Sequence, residues 1–525
     1  PHHAPKEWIE RFRGKFDLGW DKAREQILSA QIAQGILPKG TRLAPRPEGM
    51  PAWNVLNADQ KRLYSRQMEV FAASLAYADH EFGRILDALE SSGELANTMV
   101  IVTSDNGASA EGAPNGTFSE HRLATGEIST VAENLPFYDD WGSAKTYPHY
   151  SFGWAVAGDT PFRYYKQTTH EGGTRVPLVV AWPNGIAARG EWRSQFTHVS
   201  DVAPTILAAT GVPLAPIINN VPQSPMEGQN VVATFAEAKA PGHVGPQYVE
   251  MYGNKGLWQD GWAIVTDHRN ETWNVSLNKP IDEPWALYDL TKDPGQTTDL
   301  AARQPQKVAE MAAAFEEQAK RYNVNPIGNI SEGIPEGMRR AQAEFARRGG
   351  RWSYGGPIGG ITGQMAPPVM FRPFRMTAKL DLTRTGATTP VFALGGQLGG
   401  MGLYLRQGRP VFLMTDIKGH AVEVAASEAL KAGASAIELI VDHAPVMPGM
   451  ETDYTVTIRT ADRTLAQQTV RFAMPMTFGI SEAFGVGIDE GSTLVPGARS
   501  GQPFAGSLTD VVFQFPMAAP AAAGH

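Results

Sequence analysis

The sequence predicts an α/β domain, with a mainly parallel sheet between helices, followed by an all-β sandwich domain. Helical and strand patterns alternate over about the first 325 residues. Beyond residue 373 the apolar residues alternate with polar ones, which is typical of half-buried strands. Gly and Pro concentrate between the two regions. We therefore predict an α/β domain at 1–325, a connector at 326–372, a β-sandwich at 373–516 and a disordered tail at 517–525.

Composition and charge exclude several classes of protein. The chain has 525 residues, 42% hydrophobic and 19% charged, which suits a large buried core and argues against general disorder. It carries 46 Lys and Arg against 54 Asp and Glu, with no dense basic run. No apolar run reaches the roughly 18 residues that a membrane span needs. We therefore expect no nucleic-acid partner and no membrane, with the oligomeric state open.

Cysteine is absent, which excludes disulfides, Cys-ligated metals and a cysteine nucleophile within these residues. It leaves the compartment open between periplasm and cytoplasm. The sequence starts with PHHAPKEW and has no initial Met, so we interpret it as incomplete at its N-terminus.

The α/β pattern rests on a few clear elements. Residues 58–92 predict one long helix, because apolar residues recur at spacings of three and four; Asn57 or Asp59 could cap it and Gly93 could end it. The continuous apolar runs at 98–103 and 176–183 predict strands buried on both faces. Further helices are predicted at 201–211 and 304–322, and a long aromatic loop at 107–165.

Alternating apolar and polar residues predict the strands of the β-sandwich. They are clearest at 374–383, 437–441 and 454–459. Leu403 and Leu405 are expected to pair with Val411 and Leu413 across a turn at Gln407-Gly408-Arg409.

Asp105 and Asn106 form the strongest candidate site, because they directly follow the strand at 98–103. Ligands of open α/β sheets bind outside the carboxyl ends of the strands, and Asp and Asn oxygens suit Ca²⁺ or Mg²⁺. Gly107 lets the backbone turn away sharply. The alternative is an ordinary Asp-Asn-Gly turn, which the dipeptide alone favours.

Lys166 is the second candidate, since it lies shortly before a Gly-Gly turn and the strand at 176–183. A cation there could reach the same sheet edge as Asp105 and stabilise a tetrahedral oxyanion. The alternative is a solvated surface lysine. His170 suits packing better than metal binding, and Glu171 with Arg175 suits an internal ion pair.

His149 lies in the aromatic loop and could contact a substrate, with local packing an equal alternative. His2 and His3 could lie near a site or be frayed. Asp139-Asp140 favours solvated charge over a metal pair. Four aromatic residues of this loop suit an aromatic or sugar leaving group: Trp141, Tyr147, Tyr150 and Trp154.

Six segments together resemble the bacterial arylsulfatases, members of the sulfatase family in the alkaline-phosphatase-like superfamily. They are GKFDLGWDKAREQILSAQIAQGILP, YADHEFGRILDALESSG, VIVTSDNGAS, GWAVAGDTPFRYYKQTTHEGGTRVPLVV, HVSDVAPTILAATG and WALYDLTKDPGQTTDL. The resemblance implies the alkaline-phosphatase-like fold and hydrolysis of a sulfate ester by a formylglycine nucleophile and one divalent metal. It also implies that Asp105 and Asn106 are ligands of Ca²⁺ or Mg²⁺ and that Lys166 contacts the sulfate.

The departures from the family pattern matter equally. The C/S-x-P-x-R motif that yields formylglycine, an adjacent Asp pair and a Lys-x-His element are all absent, and the substrate-binding His aligns just upstream of Pro1. Two ligands cannot satisfy a Ca²⁺ that takes about 6–8 donors, and no covalent step is possible without the nucleophile. We therefore expect this chain alone to be inactive and the intact parent to be active. A phosphodiester or phosphonate monoester hydrolase, or a non-catalytic carbohydrate-binding or structural remnant, stays open.

Overall fold

The computed structural model describes residues 2–120, 122, 127–187, 190–218, 221–274, 277–329, 342–362, 365–383, 386–416, 419–444, 450–474, 483–496 and 498–516. They fall into two compact units. The first, here the α/β unit, consists of Lys6–Pro114 and Tyr150–Ile330. The second, here the β unit, consists of Pro1–Pro5, Asn115–His149 and Ser331–His525. The predicted tail at 517–525 lies outside the described residues.

The helices with defined bounds are, in chain order, α1 (Lys6–Glu10), α2 (Gly19–Ala33), α3 (Ala58–Ser91), α4 (Val131–Asn134), α5 (Phe152–Gly158), α6 (Glu171–Thr174), α7 (Val202–Thr210), α8 (Ala233–Ala236) and α9 (Pro305–Arg321). The strands of the α/β unit are β1 (Val100–Thr103), β2 (Leu178–Ala181), β3 (Ile217–Ile218), β4 (Val221–Pro222), β5 (Gln247–Met251), β6 (Asn254–Gln259), β7 (Trp262–Val265) and β8 (Ala286–Asp289). Those of the β unit are β9 (Arg351–Tyr354), β10 (Ile358–Ile361), β11 (Phe374–Leu382), β12 (Thr388–Gly396), β13 (Gly399–Arg406), β14 (Arg409–Thr415), β15 (Ala421–Ala425), β16 (Gly433–Asp442), β17 (Glu451–Thr460), β18 (Thr464–Ala473), β19 (Phe484–Val486) and β20 (Gly506–Gln514).

The long helix α3 begins where the sequence predicts. Asn57 caps it by accepting a hydrogen bond from the Gln60 backbone, and the Gln60 side chain accepts one from the Asn57 backbone. This reciprocal pair satisfies amide groups that the first helical turn leaves without partners. Leu63 and Val70 on the first half of the helix are fully buried, whereas Ile85 on the second half is exposed.

The described residues form the predicted α/β unit, but its strands β1 and β2 do not pair as parallel strands. They pair antiparallel, with Thr103 opposite Leu178, and every other strand pair described in the α/β unit is antiparallel too. The chain leaves the end of β1 and re-enters β2 at the same edge, as in a hairpin with a very long loop. Val102, Leu178 and Val179 are exposed, so the predicted burial of both strand faces is also wrong for the described residues. An apolar run does not encode strand direction, which is why the sequence was consistent with either arrangement.

The second half of the α/β unit is a four-stranded antiparallel sheet in the order β5-β6-β7-β8, with α9 packed on it. Leu257, Ile264 and Leu287 from the sheet form one buried cluster with Met311 and Phe315 from the helix. The spacing of Met311 and Phe315 places both on one face of α9, as in an amphipathic helix.

The β unit confirms the predicted β-sandwich. Its two six-stranded sheets have the orders β10-β19-β12-β13-β14-β15 and β18-β17-β16-β11-β20-β9. Met376, Leu439 and Phe513 from one sheet and Phe392 and Leu403 from the other are fully buried in one core. Two of the strands, β9 and β10, lie within the segment predicted as a connector.

The hairpin β13–β14 forms at the predicted place with a register one residue different from the expected one. Gln407 and Gly408 form a two-residue turn with φ values of 53° and 76°, and Arg406 lies opposite Arg409. Leu403 therefore pairs with Phe412. The expected register corresponds to a three-residue turn. Because turn length sets the register of a hairpin, the two-residue turn shifts the pairing by one residue.

Candidate functional site

Two loops of the α/β unit interlock at the edge where β1 ends and β2 begins. The Gly107 amide donates to the Gly173 carbonyl at 3.1 Å, and the Lys166 amide donates to the Ala108 carbonyl at 3.0 Å. A β-carbon at residue 107 would lie 1.7 Å from the Gly172 carbonyl oxygen, so only glycine fits this contact. The antiparallel return of β2 therefore brings the loop of Asp105 and Asn106 against the loop of Lys166.

Asp105 and Asn106 lie at the surface of this junction. The Asn106 side-chain amide donates to a carboxylate oxygen of Asp105 at 3.0 Å, and the Ser104 hydroxyl donates to the Asn106 carbonyl at 2.9 Å. The described residues contain no group of three or more His, Cys, Asp or Glu side chains arranged to hold a metal ion. Two oxygen-bearing side chains fall well short of the set of about six to eight donors that Ca²⁺ takes. The residues present therefore do not by themselves form a complete metal site.

Lys166 is neither buried nor freely solvated. Its ammonium group donates to the Glu111 carboxylate at 2.9 Å, and the two side chains are 30% and 25% exposed. Glu111 lies on the same loop as Asn106. Sequence reasoning missed it, because no spacing or composition signal distinguishes it from a surface glutamate.

A buried carboxyl group, that of Asp159, also contacts the loop that carries Asp105 and Asn106. Asp159, which follows α5, accepts a hydrogen bond from the Ala108 amide at 2.8 Å. Burial raises the pKa of Asp159 to about 8, although the bond from Ala108 lowers it. Its second carboxylate oxygen is buried and has no hydrogen-bond partner among the described residues. A protonated Asp159 suits this environment better than a charged one.

His170 lies inside the α/β unit rather than at the edge. Its ring packs against Tyr164 at 4.8 Å between ring centroids, and its Nε2 lies 3.4 Å from the carboxylate of Asp267. Burial lowers the pKa of His170 well below its usual value, and nearby Arg163 lowers it further. The uncharged ring therefore acts as a packing group, as the sequence indicated.

The expected ion pair of Glu171 is present. Its carboxylate lies 3.3 Å from Arg175, and its backbone amide donates to the Gln296 side chain at 2.9 Å. Burial raises the pKa of Glu171, and Arg175 opposes that shift. These contacts fix the short helix α6, whose Gly172 and Gly173 carry the junction with Gly107.

His149 belongs to the β unit. Its ring lies 4.9 Å from that of His2 between centroids, and its Nε2 lies 3.8 Å from a carboxylate oxygen of Glu120. His3 contacts the Thr146 carbonyl at 2.8 Å. His2 and His3 are thus held in place rather than frayed, and substrate contact by His149 stays a prediction.

The aromatic residues proposed to face a leaving group are packing residues. Trp154 is 1% exposed, contacts Trp20 and Trp53, and donates from its indole nitrogen to the Tyr64 carbonyl at 2.8 Å. Trp141, Tyr147 and Tyr150 are also buried. Large aromatic side chains at a loop suit a core as well as a ligand, which misled the sequence analysis. Asp140 pairs with exposed Lys145 at 3.0 Å, as expected of solvated charge.

Comparison with known families adds two matches. Residues 1–212 match the model described as sulfatase, and residues 161–324 match the model described as the C-terminal part of N-sulphoglucosamine sulphohydrolase. The second match covers both the Lys166 loop and the sheet β5–β8 with α9.

Several curated proteins are similar to this chain. An uncharacterized sulfatase of Schizosaccharomyces pombe is 29% identical over 324 residues, which cover 59% of this chain and 54% of that protein. An arylsulfatase of Klebsiella aerogenes is 30% identical over 234 residues, covering 44% and 48%. The chain thus spans about half the length of these relatives. A crystal structure titled as the putative sulfatase yidJ from Bacteroides fragilis has a TM-score of 0.33 at 17% identity, covering 63% of this chain and 52% of that one.

No helix among the described residues has the length and apolar character required to cross a membrane.

Proposed function

We propose that this protein hydrolyses a sulfuric ester of a small molecule, because residues 1–212 match the sulfatase family and residues 161–324 match the C-terminal part of a sulphohydrolase. The observation that carries the proposal is the interlocked junction in the α/β unit. It brings together two oxygen-bearing side chains, Asp105 and Asn106, and one ammonium group, Lys166, on loops joined by two backbone hydrogen bonds. The similarity to the Klebsiella aerogenes arylsulfatase favours an aryl sulfate as the substrate.

Lys166 is proposed to bind the sulfate. The Lys166 backbone amide holds its loop, and the Glu111 carboxylate holds its ammonium group. A cation held in this way stabilises negative charge that develops on sulfate oxygens. The Lys166 ammonium group has three hydrogen-bond donors, and the bond to Glu111 uses one of them. Lys166 can therefore pair with Glu111 and a sulfate oxygen together.

Asp105 and Asn106 are proposed as two ligands of one Ca²⁺ or Mg²⁺. When bound, such an ion would supply positive charge to the sulfate. The described residues do not complete its ligand set, so no step of the reaction is assigned to it. The nucleophile is expected to be a formylglycine. The sequence has no Cys and no Ser-x-Pro-x-Arg, so we expect residues 1–525 alone to hydrolyse no aryl sulfate.

The test compares 4-nitrophenyl sulfate with bis(4-nitrophenyl) phosphate and a phenyl phosphonate monoester. The protein is the complete polypeptide that its gene encodes, assayed as isolated, after chelation, and after return of Ca²⁺ or Mg²⁺. We expect sulfate ester hydrolysis that chelation abolishes, and a loss of about 10²- to 10³-fold in kcat for Lys166→Ala. Lys22→Ala is the matched control, since Lys22 is an exposed lysine of the same unit that also pairs with a glutamate, at 2.6 Å.

Preferential hydrolysis of the phosphate or phosphonate ester would move the protein to that related activity. Absence of hydrolysis of all three substrates by the complete polypeptide would favour the non-catalytic reading. Equal activity of Lys166→Ala and Lys22→Ala would contradict the role given to Lys166.

A further inference from the structure

Glu111 receives several hydrogen bonds beside the candidate site. One carboxylate oxygen accepts from the Lys166 ammonium at 2.9 Å and from the Ser109 hydroxyl at 2.9 Å. The other accepts from the Gln167 side-chain amide at 2.5 Å. The carboxylate therefore joins two consecutive residues of one loop to the loop that carries Asn106.

A buried arginine anchors this arrangement from the far side. Arg269 is 2% exposed and donates to the Gln167 side-chain oxygen and, from its Nε, to the Asn274 carbonyl at 3.1 Å. The Gln167 carbonyl accepts from Asn254 at 2.9 Å. Gln167 is thus held through both its backbone carbonyl and its side-chain oxygen. Its side-chain NH₂ group then points towards Glu111. The order of contacts runs from Arg269 through Gln167 and Glu111 to Lys166.

The backbone conformation of Gln167 also indicates that the surrounding structure holds this residue in one place. Its φ is +71°, a backbone conformation that residues with a β-carbon rarely adopt. Lys166 has a flexible side chain of four methylene groups, so its backbone bond to Ala108 does not by itself fix the ammonium group. The Glu111 carboxylate supplies the missing restraint.

We propose that Glu111 is the positioning residue of Lys166: held by Gln167 and Arg269, its carboxylate fixes the ammonium group in the direction in which it meets the sulfate. The restraint of Lys166 by Glu111 rests on the geometry alone. The effect of that restraint on catalysis rests on the proposed function. A group that acts through a positioned cation affects the transition state more than substrate binding. Loss of Glu111 therefore lowers kcat and leaves KM nearly unchanged.

The first experiment measures kinetics on the complete polypeptide that its gene encodes. A displacement of about 1 Å can cost about 100-fold, so we expect Glu111→Gln to lower kcat by about 10- to 100-fold. Glu111→Asp keeps the charge on a shorter side chain and should recover part of this loss. Glu25→Gln is the matched control, because it makes the same chemical change at the exposed pair of Lys22 and Glu25 and should leave kcat unchanged.

The second experiment does not depend on activity. Chain 1–525 is acetylated with a trace of acetic anhydride, and the modified fraction of each lysine is read by mass spectrometry. Acetic anhydride reacts with a neutral amine, so the ammonium group must leave its carboxylate partner and lose a proton before it reacts. We therefore expect Glu111→Gln to raise the acetylation rate of Lys166 roughly two- to fivefold. The rate at Lys22 should stay the same, and Glu25→Gln should leave Lys166 unchanged.

The outcomes separate the two proposals. If Lys166→Ala abolishes activity but Glu111→Gln alters neither kcat nor the labelling of Lys166, the positioning role is wrong and the proposed function stands. If no sulfate ester is hydrolysed but Glu111→Gln raises the labelling of Lys166, the restraint is confirmed and the proposed function fails. Should Glu111→Gln not fold, Glu111→Ala takes its place: wild-type kcat together with wild-type labelling of Lys166 then overturns the positioning role.

Discussion

Replacement of Gly107 by Ala tests the junction on which the candidate site depends. A β-carbon at this position would lie 1.7 Å from the Gly172 carbonyl oxygen, 2.8 Å from its carbonyl carbon and 3.2 Å from the Gly173 α-carbon. Real contacts of this kind essentially never fall below 3.0 Å, so the two loops must separate by at least about 1.3 Å. The obstructing atoms belong to the backbone, and no side-chain rotation can relieve the overlap.

The size of the effect follows from two contributions. Overpacking of a tight contact costs about 1–3 kcal/mol, and the hydrogen bond from Gly107 to Gly173 contributes about 1 kcal/mol. We therefore expect Gly107→Ala to lower the free energy of unfolding of the α/β unit by about 2–4 kcal/mol. Gly83→Ala in α3 is the control. No atom lies within 4 Å of its β-carbon, and Ala is favoured over Gly in a helix by about 0.5–1 kcal/mol.

Two measurements decide this prediction. Urea unfolding gives the change in stability, and hydrogen exchange read by mass spectrometry locates it in peptides that span residues 104–112 and 163–175. Exchange should rise in both segments for Gly107→Ala and in neither for Gly83→Ala. If Gly107→Ala is as stable as Gly83→Ala, with unchanged exchange in both segments, the loops do not interlock as described.

Three further changes give separate tests. Burial raises the pKa of Asp159 to about 8, so the folded state keeps a proton that the unfolded chain loses near pH 4. The resulting contribution to the free energy of unfolding is complete below about pH 4 and is lost as the pH rises through 8. Asp159→Asn should therefore lose less stability than the wild type between roughly pH 5 and pH 8 in urea titrations, and an equal loss would contradict the raised pKa. Asn57→Ala removes the cap of α3 and should cost about 1 kcal/mol in thermal unfolding, whereas Asn57→Ser should restore most of it. Chain 1–525 should bind an apolar fluorescent dye at the exposed strands β1 and β2, and Val179→Lys should weaken that signal; no change in fluorescence would place the dye elsewhere.

Local signals in the sequence were sufficient for much of the fold. The periodicity of α3, its Asn57 cap and the alternation in β11 depend on neighbours close in the chain, and these elements form as predicted. The direction of β2 relative to β1 depends on where a long excursion of the chain returns. No local residue pattern encodes that return, so the parallel arrangement expected from apolar runs was wrong.

Only part of the candidate site carried a signal in the sequence. Asp105 and Lys166 flank predicted strands, and this position drew attention to them. Glu111 and Arg269 carry no such signal, because each acquires its role through contacts between loops that lie far apart in the sequence. Asp159 is an ordinary residue after a short helix until its burial against Ala108 is known. Sequence reasoning thus found the residues at the ends of elements and missed those that hold them in place.

The antiparallel return of β2 explains why these supporting residues are needed. In a parallel arrangement, successive loops at the carboxyl ends of strands reach a shared site from one side of a continuous sheet. Here β1 and β2 are short and their faces exposed, so the strands alone provide little rigidity. Position is instead set by the Gly107–Gly173 contact, the Ala108 bonds to Lys166 and Asp159, and the Glu111 carboxylate. A site fixed in this way should be sensitive to single changes in its loops, and Gly107→Ala and Glu111→Gln measure that sensitivity through the backbone and through a side chain respectively.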